Sequence, residues 1–149
     1  MDAATTMFDA EVIVPGRASG IAIVSSPLSF WGGYDAESGT ITDRTHADYG
    51  QSLKNRILVM PRARGSSSSS SVLAEALRNS TGPSGIVLSE RDLIIAIGVI
   101  AANELYRLQV PVITVTESTF TQIAASPSLL NIHALDATRP ATIYVTACG

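Results

Sequence analysis

Apolar residues recur along this chain in two different rhythms, and the change between them falls at Arg56. Ahead of it lie short segments set off by glycine and proline: Glu11 to Val14, Gly20 to Ser25 and Thr40 to Thr42. Segments of that length between turn formers read as strands, and their closeness in the chain predicts hairpin-like antiparallel structure. Beyond Arg56, Ile57, Leu58, Val59 and Met60 are all apolar and stop at Pro61, as in a strand covered on both faces. Ile86 to Leu88 and Val112 to Val115 repeat that signature.

Between these runs the period lengthens to that of a helix. Over Ser66 to Asn79, Leu73, Ala76 and Leu77 fall at helical spacing, with Gly82 and Pro83 as a stop. Over Glu90 to Leu108, Asp92 is placed to cap, and Leu93, Ile97, Ile100, Ala101 and Leu105 fill a broad apolar face. The order strand, helix, strand, helix, strand predicts an α/β fold: a right-handed parallel unit preceded by an antiparallel β-portion. In the tail, Leu130 to Leu135 and Thr142 to Val145 read as short strands, with a helical turn near Phe120 to Ala124. No internal repeat and no interdomain linker is visible.

Composition narrows the function classes. With 149 residues, 46% of them hydrophobic and 15% charged, the chain has enough apolar surface to bury a core, which excludes general disorder. The net charge is -3, and the ten cations are nine scattered arginines and Lys54, so nucleic acid and anionic membrane are not expected partners. The longest uncharged apolar run, Leu93 to Ala102, is half the roughly 20 residues a membrane span needs. Met1, Asp2 and Ala3 open no basic-then-apolar leader, and the reading is cytoplasmic. Cys148 is the only cysteine, so this chain alone makes no disulfide, no multi-cysteine zinc site and no iron-sulfur cluster; metal chemistry has to come from a partner.

Candidate chemistry concentrates in Arg62-Ala63-Arg64-Gly65 and the six serines from Ser66 to Ser71. Serine tracts are commonly linkers, but a linker joins domains, and this one sits inside a strand-to-helix connection. There serines can cap the first turn, and free backbone N-H groups form an anion site at the carboxyl edge of the sheet. Phosphate, carboxylate or an oxyanion would fit such a turn equally well.

The motifs then resemble a known family. Pro27 to Gly33, the later Gly39, Asp43, His46 and Gly50, the strand from Leu58 to Pro61 running into Gly65-Ser66-Ser67-Ser68, and Ala96-Ile97-Gly98 with Ala101 are together similar to the small subunit of the aconitase X family of dehydratases. The resemblance implies a single swivelling β/β/α domain over residues 1–149, like that of aconitase and isopropylmalate isomerase. It implies a Gly-Ser-Ser turn whose serine is the catalytic base, here Ser66, with Ser67 one register along. Gly65, Ser67, Ser68, Arg62, Arg64, Trp31, Gly32 and Gly33 are the implied substrate-binding residues. The aconitase motif continues with arginine and glutamate, where this chain has Ser68 and Ser69.

A helix terminus stabilises a nearby anion by up to about 2 kcal/mol, lowering a pKa by roughly one and a half, far too little to ionise a serine near neutral pH. Arg62 and Arg64 add positive charge, yet water exclusion and further charge have to come from outside the chain. The resemblance implies that source: a larger subunit, paired with this one as a heterodimer, whose iron-sulfur cluster accepts the leaving hydroxyl as a Lewis acid. The implied reaction is loss of water from a β-hydroxy acid. The favoured substrate is cis-3-hydroxy-L-proline, giving Δ1-pyrroline-2-carboxylate, because one lysine and a low charged fraction argue against a hyperthermophile. Two alternatives are a phosphomevalonate dehydratase small subunit and a non-catalytic anion-binding regulatory module.

Other residues carry quieter expectations. Trp31 with Phe30 and two glycines forms either an aromatic plug or a loop at the active site or subunit contact. Asp43, His46 and Asp48 are all metal-ligating types, but their irregular spacing in a loop favours hydrogen bonding or solvation over a metal site. His133 reads as a satisfied structural histidine. Gly98 costs about 1 kcal/mol relative to alanine in a helix, which close helix packing would explain.

Overall fold

The computed structural model of the protein describes residues 4–148; the leader reading on Met1 to Ala3 lies outside them. The elements are β1 (Thr5–Val14), β2 (Gly16–Val24), a short turn α1 (Phe30–Gly33), β3 (Tyr34–Asp35), β4 (Thr40–Ile41) and β5 (Arg56–Met60). Then come α2 (Ser69–Arg78), β6 (Gly85–Leu88), α3 (Leu93–Tyr106), β7 (Val112–Thr114), α4 (Glu117–Ala124), β8 (Ser128–Ala134) and β9 (Ala141–Ala147). Seven strands close a barrel in the order β1-β7-β6-β5-β2-β8-β9, and β3 pairs with β4 in a separate ribbon.

The continuous apolar runs form the parallel layer, as expected. Ile57 pairs with Gly85 across β5 and β6, and Ile86 with Val112 across β6 and β7. Their alternate residues face two cores. Leu58, Met60, Ile86, Leu88 and Val112 pack outward with Leu73, Ala76 and Leu77 of α2 and Ile95 and Val99 of α3. Ile57, Val59, Val87 and Ile113 point into the barrel, against Ala10, Val12, Leu130, Ile132 and Ile143. Gly85 lets that interior close, since a Cβ there would sit 3.1 Å from Ala18 and 3.2 Å from Ile57.

The hairpin expectation for the first strands is corrected. β1 pairs antiparallel with β7 and β9, whereas β2 pairs in parallel with β5 and antiparallel with β8. The chain turns at Pro15 and Gly16, where a Cβ would collide with the Gln109 backbone, and sends the two strands to different neighbours. β2 therefore belongs to the parallel layer, and its carboxyl end joins those of β5, β6 and β7. In the tail, β8 and β9 form where strands are expected, and α4 runs longer than the single turn read from the sequence, with Thr116 Oγ1 accepting from the Thr119 N-H at its start.

Helix α2 also begins later than Ser66. Its first residue is Ser69, Ser68 makes no side-chain cap, and Ser66 to Ser68 form the preceding turn. Helix α3 is capped by Asp92 as expected, buries Ile95, Ala96, Val99 and Ala102, and leaves Leu93, Ile97, Ile100 and Leu105 exposed. Close packing explains Gly98: a Cβ there would lie 2.8 Å from the carbonyl oxygen and 3.1 Å from the Cα of Ser70. Gly98→Ala is expected to destabilise the protein by about 1–3 kcal/mol through overpacking, exceeding the roughly 1 kcal/mol gained in helix propensity. Urea unfolding followed by circular dichroism measures the sign.

Candidate active site

The carboxyl ends of β2, β5 and β6 carry the loops that build the site. After β5, Pro61 ends the strand and the chain runs over α2 through Arg62, Ala63, Arg64, Gly65 and the serines. Two neighbours hold this connection. The Arg64 N-H donates to the Leu28 carbonyl (3.1 Å), in the loop after β2, and the Ala63 N-H donates to Asp92 Oδ2 (3.0 Å), ahead of α3. Asp92 uses its other oxygen to accept from Ile94 and Ile95, so one carboxylate ties a helix start to the serine loop.

Gly65 turns the chain with φ +97°, a region in which side-chain-bearing residues are strained, and a Cβ there would press on the Ser29 side chain. The six serines then divide by role. Ser66 Oγ accepts from the Ser68 N-H (3.1 Å) and is exposed, as is Ser67. Ser69 is buried and its hydroxyl accepts from the Trp31 N-H (3.1 Å), while Ser70 donates to the Ile94 carbonyl (2.6 Å). The tract is therefore a folded turn with its inner serines spent on packing, not a linker. Among the described residues no acceptor is bonded to the N-H groups of Gly65, Ser66 or Ser67. Three free donors on an exposed glycine-serine turn suit an anion.

Trp31, Gly32 and Gly33 lie beside this turn through the bond from the Trp31 N-H to Ser69. The plug is Phe30, which is fully buried, whereas Trp31 is 57% exposed. Gly32 has φ +83° and open space where a side chain would stand, and a Cβ added at Gly33 would lie 3.5 Å from the Cβ of Asp43.

Arg64 donates to Asp43 Oδ2 (2.9 Å), and Arg62 pairs with Glu90 (3.4 Å). The Asp43 carboxyl is held below its ordinary pKa, first by the Thr45 hydroxyl, then by the Thr45 N-H, and also by Arg64. A depressed carboxyl contributes stability above its unfolded value and loses it as pH falls through the folded one, so this link to Arg64 survives mild acidification. A carbon-detected NMR titration should place the Asp43 midpoint below that of an unperturbed aspartate, and Arg64→Gln should move it upward.

Arg62 and Arg64 share a cleft of about 280 Å³ with Ser26, Pro27, Thr45 and His46. His46 hydrogen-bonds as expected, and its side chain, 2% exposed, reaches Ser25, Ser26 and the Asp48 N-H. Its seat depends on β2 ending at this edge, which the hairpin reading obscured. His133 behaves as expected, placed between Arg17 (3.3 Å) and Asn131 (3.2 Å) on β8. A wider cleft of about 610 Å³ lies beyond β7, lined by Glu11, Arg91, Thr116 and Arg139 among others, and nothing in the residue pattern points to it. Among the described residues no three His, Cys, Asp or Glu side chains gather as metal ligands, and no helix is long and apolar enough to cross a membrane.

The family described as the Aconitase X swivel domain matches residues 7–138. A cis-3-hydroxy-L-proline dehydratase from Hypocrea jecorina is 38% identical over 114 residues, 76% of this chain and 19% of that protein. The phosphomevalonate dehydratase small subunit of Thermococcus kodakarensis is 42% identical over 92 residues, 61% of this chain and 69% of that one. The crystal structure of Thermococcus kodakaraensis aconitase X in its holo-form superposes with a TM-score of 0.78 at 30% identity, covering 94% of this chain and 98% of that one. The chain thus spans about a fifth of the hydroxyproline dehydratase it matches and most of the small subunit.

Proposed function

Because the chain belongs to the aconitase X swivel-domain family, we propose that it is the swivelling part, residues 1–149, of a hydro-lyase that dehydrates a β-hydroxy carboxylate in the cytoplasm. The observation that carries this reading is the Gly65-Ser66-Ser67 turn, exposed and clamped at the carboxyl edge of the parallel layer with three free N-H donors. Ser66 is the base, and Gly65, Ser67 and Ser68 cradle the substrate's oxygens. Arg62 and Arg64 meet its carboxylate, while Trp31, Gly32 and Gly33 wall the site.

Ser66 Oγ, as the alkoxide, takes the proton from the carbon next to the carboxylate. The freed electron pair forms the carbon-carbon double bond as the hydroxyl one carbon further on departs as hydroxide; Ser66 then gives up the proton it took, which restores the alkoxide and completes one water. With cis-3-hydroxy-L-proline the resulting enamine tautomerises to Δ1-pyrroline-2-carboxylate. Ionising the serine demands a dry, positively charged surrounding, which an exposed turn lacks until a companion covers it.

A larger catalytic chain is that companion, as the small-subunit name of the archaeal relatives suggests. The iron-sulfur cluster is assigned to it, because this chain's donor set does not fit one: Cys148 is its single thiol. Cis-3-hydroxy-L-proline is the favoured substrate, supported by a match over 76% of the chain, against 61% for the phosphomevalonate relative. The higher identity of the latter, 42%, favours phosphomevalonate as the second reading. Anaerobic co-purification with a cluster-bearing companion, followed by assay on both compounds, tests the proposal. Water loss from one of them supports it, and a stable complex inert towards both refutes it.

A further inference from the structure

His46 and Ser26 form a pair whose chemistry the serine turn does not explain. The His46 ring is buried at the end of β2, with Nδ1 2.9 Å from the Asp48 N-H. A backbone N-H can only donate, so Nδ1 holds a lone pair, and the proton of the neutral ring is on Nε2. Protonating Nδ1 would set two donors against each other. Asp48 Oδ2 stands 3.8 Å from the same nitrogen, beyond a hydrogen bond.

The Nε2 proton faces three oxygens: the Ser26 carbonyl at 3.1 Å, Ser26 Oγ at 3.1 Å and Ser25 Oγ at 3.3 Å. Ser25 spends its own hydrogen on the Ser26 carbonyl at 2.7 Å. Ser26 Oγ therefore presents a lone pair to the ring, and its hydrogen has to point elsewhere. Ser26 is exposed and lines the cleft shared with Arg62 and Arg64, so that hydrogen is free for a bound group. The other hydroxyl there, of Thr45, is committed to Asp43 at 2.7 Å. The charged groups around the cleft are Arg62 and Arg64 with their partners Glu90 and Asp43, and Asp48 behind the ring.

We infer that Ser26 is a further substrate-binding residue, whose hydroxyl donates to the substrate carboxylate between Arg62 and Arg64, and that His46 is the positioning residue that aims it. The inference rests on the dehydratase reading and deepens it. Both candidate substrates carry a carboxylate beside the carbon that loses the proton, so the subsite serves either one.

Two measurements test it. In the assembled enzyme made inactive by Ser66→Ala, calorimetry gives the dissociation constant of intact cis-3-hydroxy-L-proline or phosphomevalonate, whichever the active enzyme turns over. Removing a hydrogen bond to a charged group weakens binding by about ten- to a hundredfold, and this is the loss expected of Ser26→Ala. His46→Ala should cost a similar factor, and the double variant no more than either single one, because His46 acts through Ser26. His46→Gln, which keeps an N-H near Ser26, should bind closer to the parent.

Unchanged binding in Ser26→Ala, or losses that add in the double variant, overturns the inference. Nitrogen NMR on the chain itself supplies the arm that needs no substrate: Nδ1 should be bare and Nε2 protonated, and the opposite tautomer overturns the inference even in an active enzyme. An enzyme that turns over neither compound, with His46 in the expected tautomer, overturns the dehydratase reading while leaving the Ser26 geometry as described.

Discussion

On the proposed dehydratase reading, Ser66→Ala in the assembled enzyme should lower kcat by about 10²- to 10⁴-fold, the range over which a positioned proton acceptor contributes. Ser66 is exposed, and among the described residues its hydroxyl bonds only with the Ser68 N-H, so the fold has little stake in it. Assembly and melting temperature should therefore stay near those of the parent. Steady-state rates with size-exclusion chromatography read both quantities. Full turnover in the alanine variant would remove Ser66 from the mechanism, and Ser67→Ala, run alongside, shows whether the neighbouring register carries it.

Gly65→Ala should be nearly as damaging to turnover for a different reason. The backbone at φ +97° is strained for alanine, and its methyl would press on the Ser29 side chain, so the turn has to shift. Local strain of this kind costs on the order of 1–3 kcal/mol. Because the adjoining turn sets where Ser66 Oγ stands, misplacement by an ångström is enough for about a 10²-fold loss in rate. A thermal melt lowered by a few degrees with kcat lowered much more is the expected signature. Equal losses of rate in Gly65→Ala and Ser66→Ala, with only the former destabilised, would separate placement from chemistry.

The parallel layer was readable because strands such as β5 and β6 are covered on both faces. Burial on both faces demands apolar residues at every position, and that leaves an unbroken run in the chain. Helix α3 was readable through Asp92, whose type and place match a cap, though the further bond it accepts from the Ala63 N-H has no sequence signature. The error on β1 and β2 has an equally plain cause. Alternation along a strand says which face is buried but not which strand lies beside it, and closure of the barrel sent these two to different partners.

The serine tract divides the same way. Its position between an apolar run ending at Pro61 and a helical pattern, together with Gly65, marks a strand-to-helix turn suited to an anion, whereas Ser66 within it is named by the family resemblance. Six identical residues in a row carry no internal distinction, however. Only the packing of the Trp31 N-H on Ser69 and of Ser70 on Ile94 separates the structural serines from the exposed ones. His46 lies twenty residues from Ser26 in the chain, and their meeting depends on β2 ending at the shared edge. Periodicity and capping act over a few residues and so are written into the chain. Contacts between distant loops exist once the barrel has closed, because no local preference specifies them.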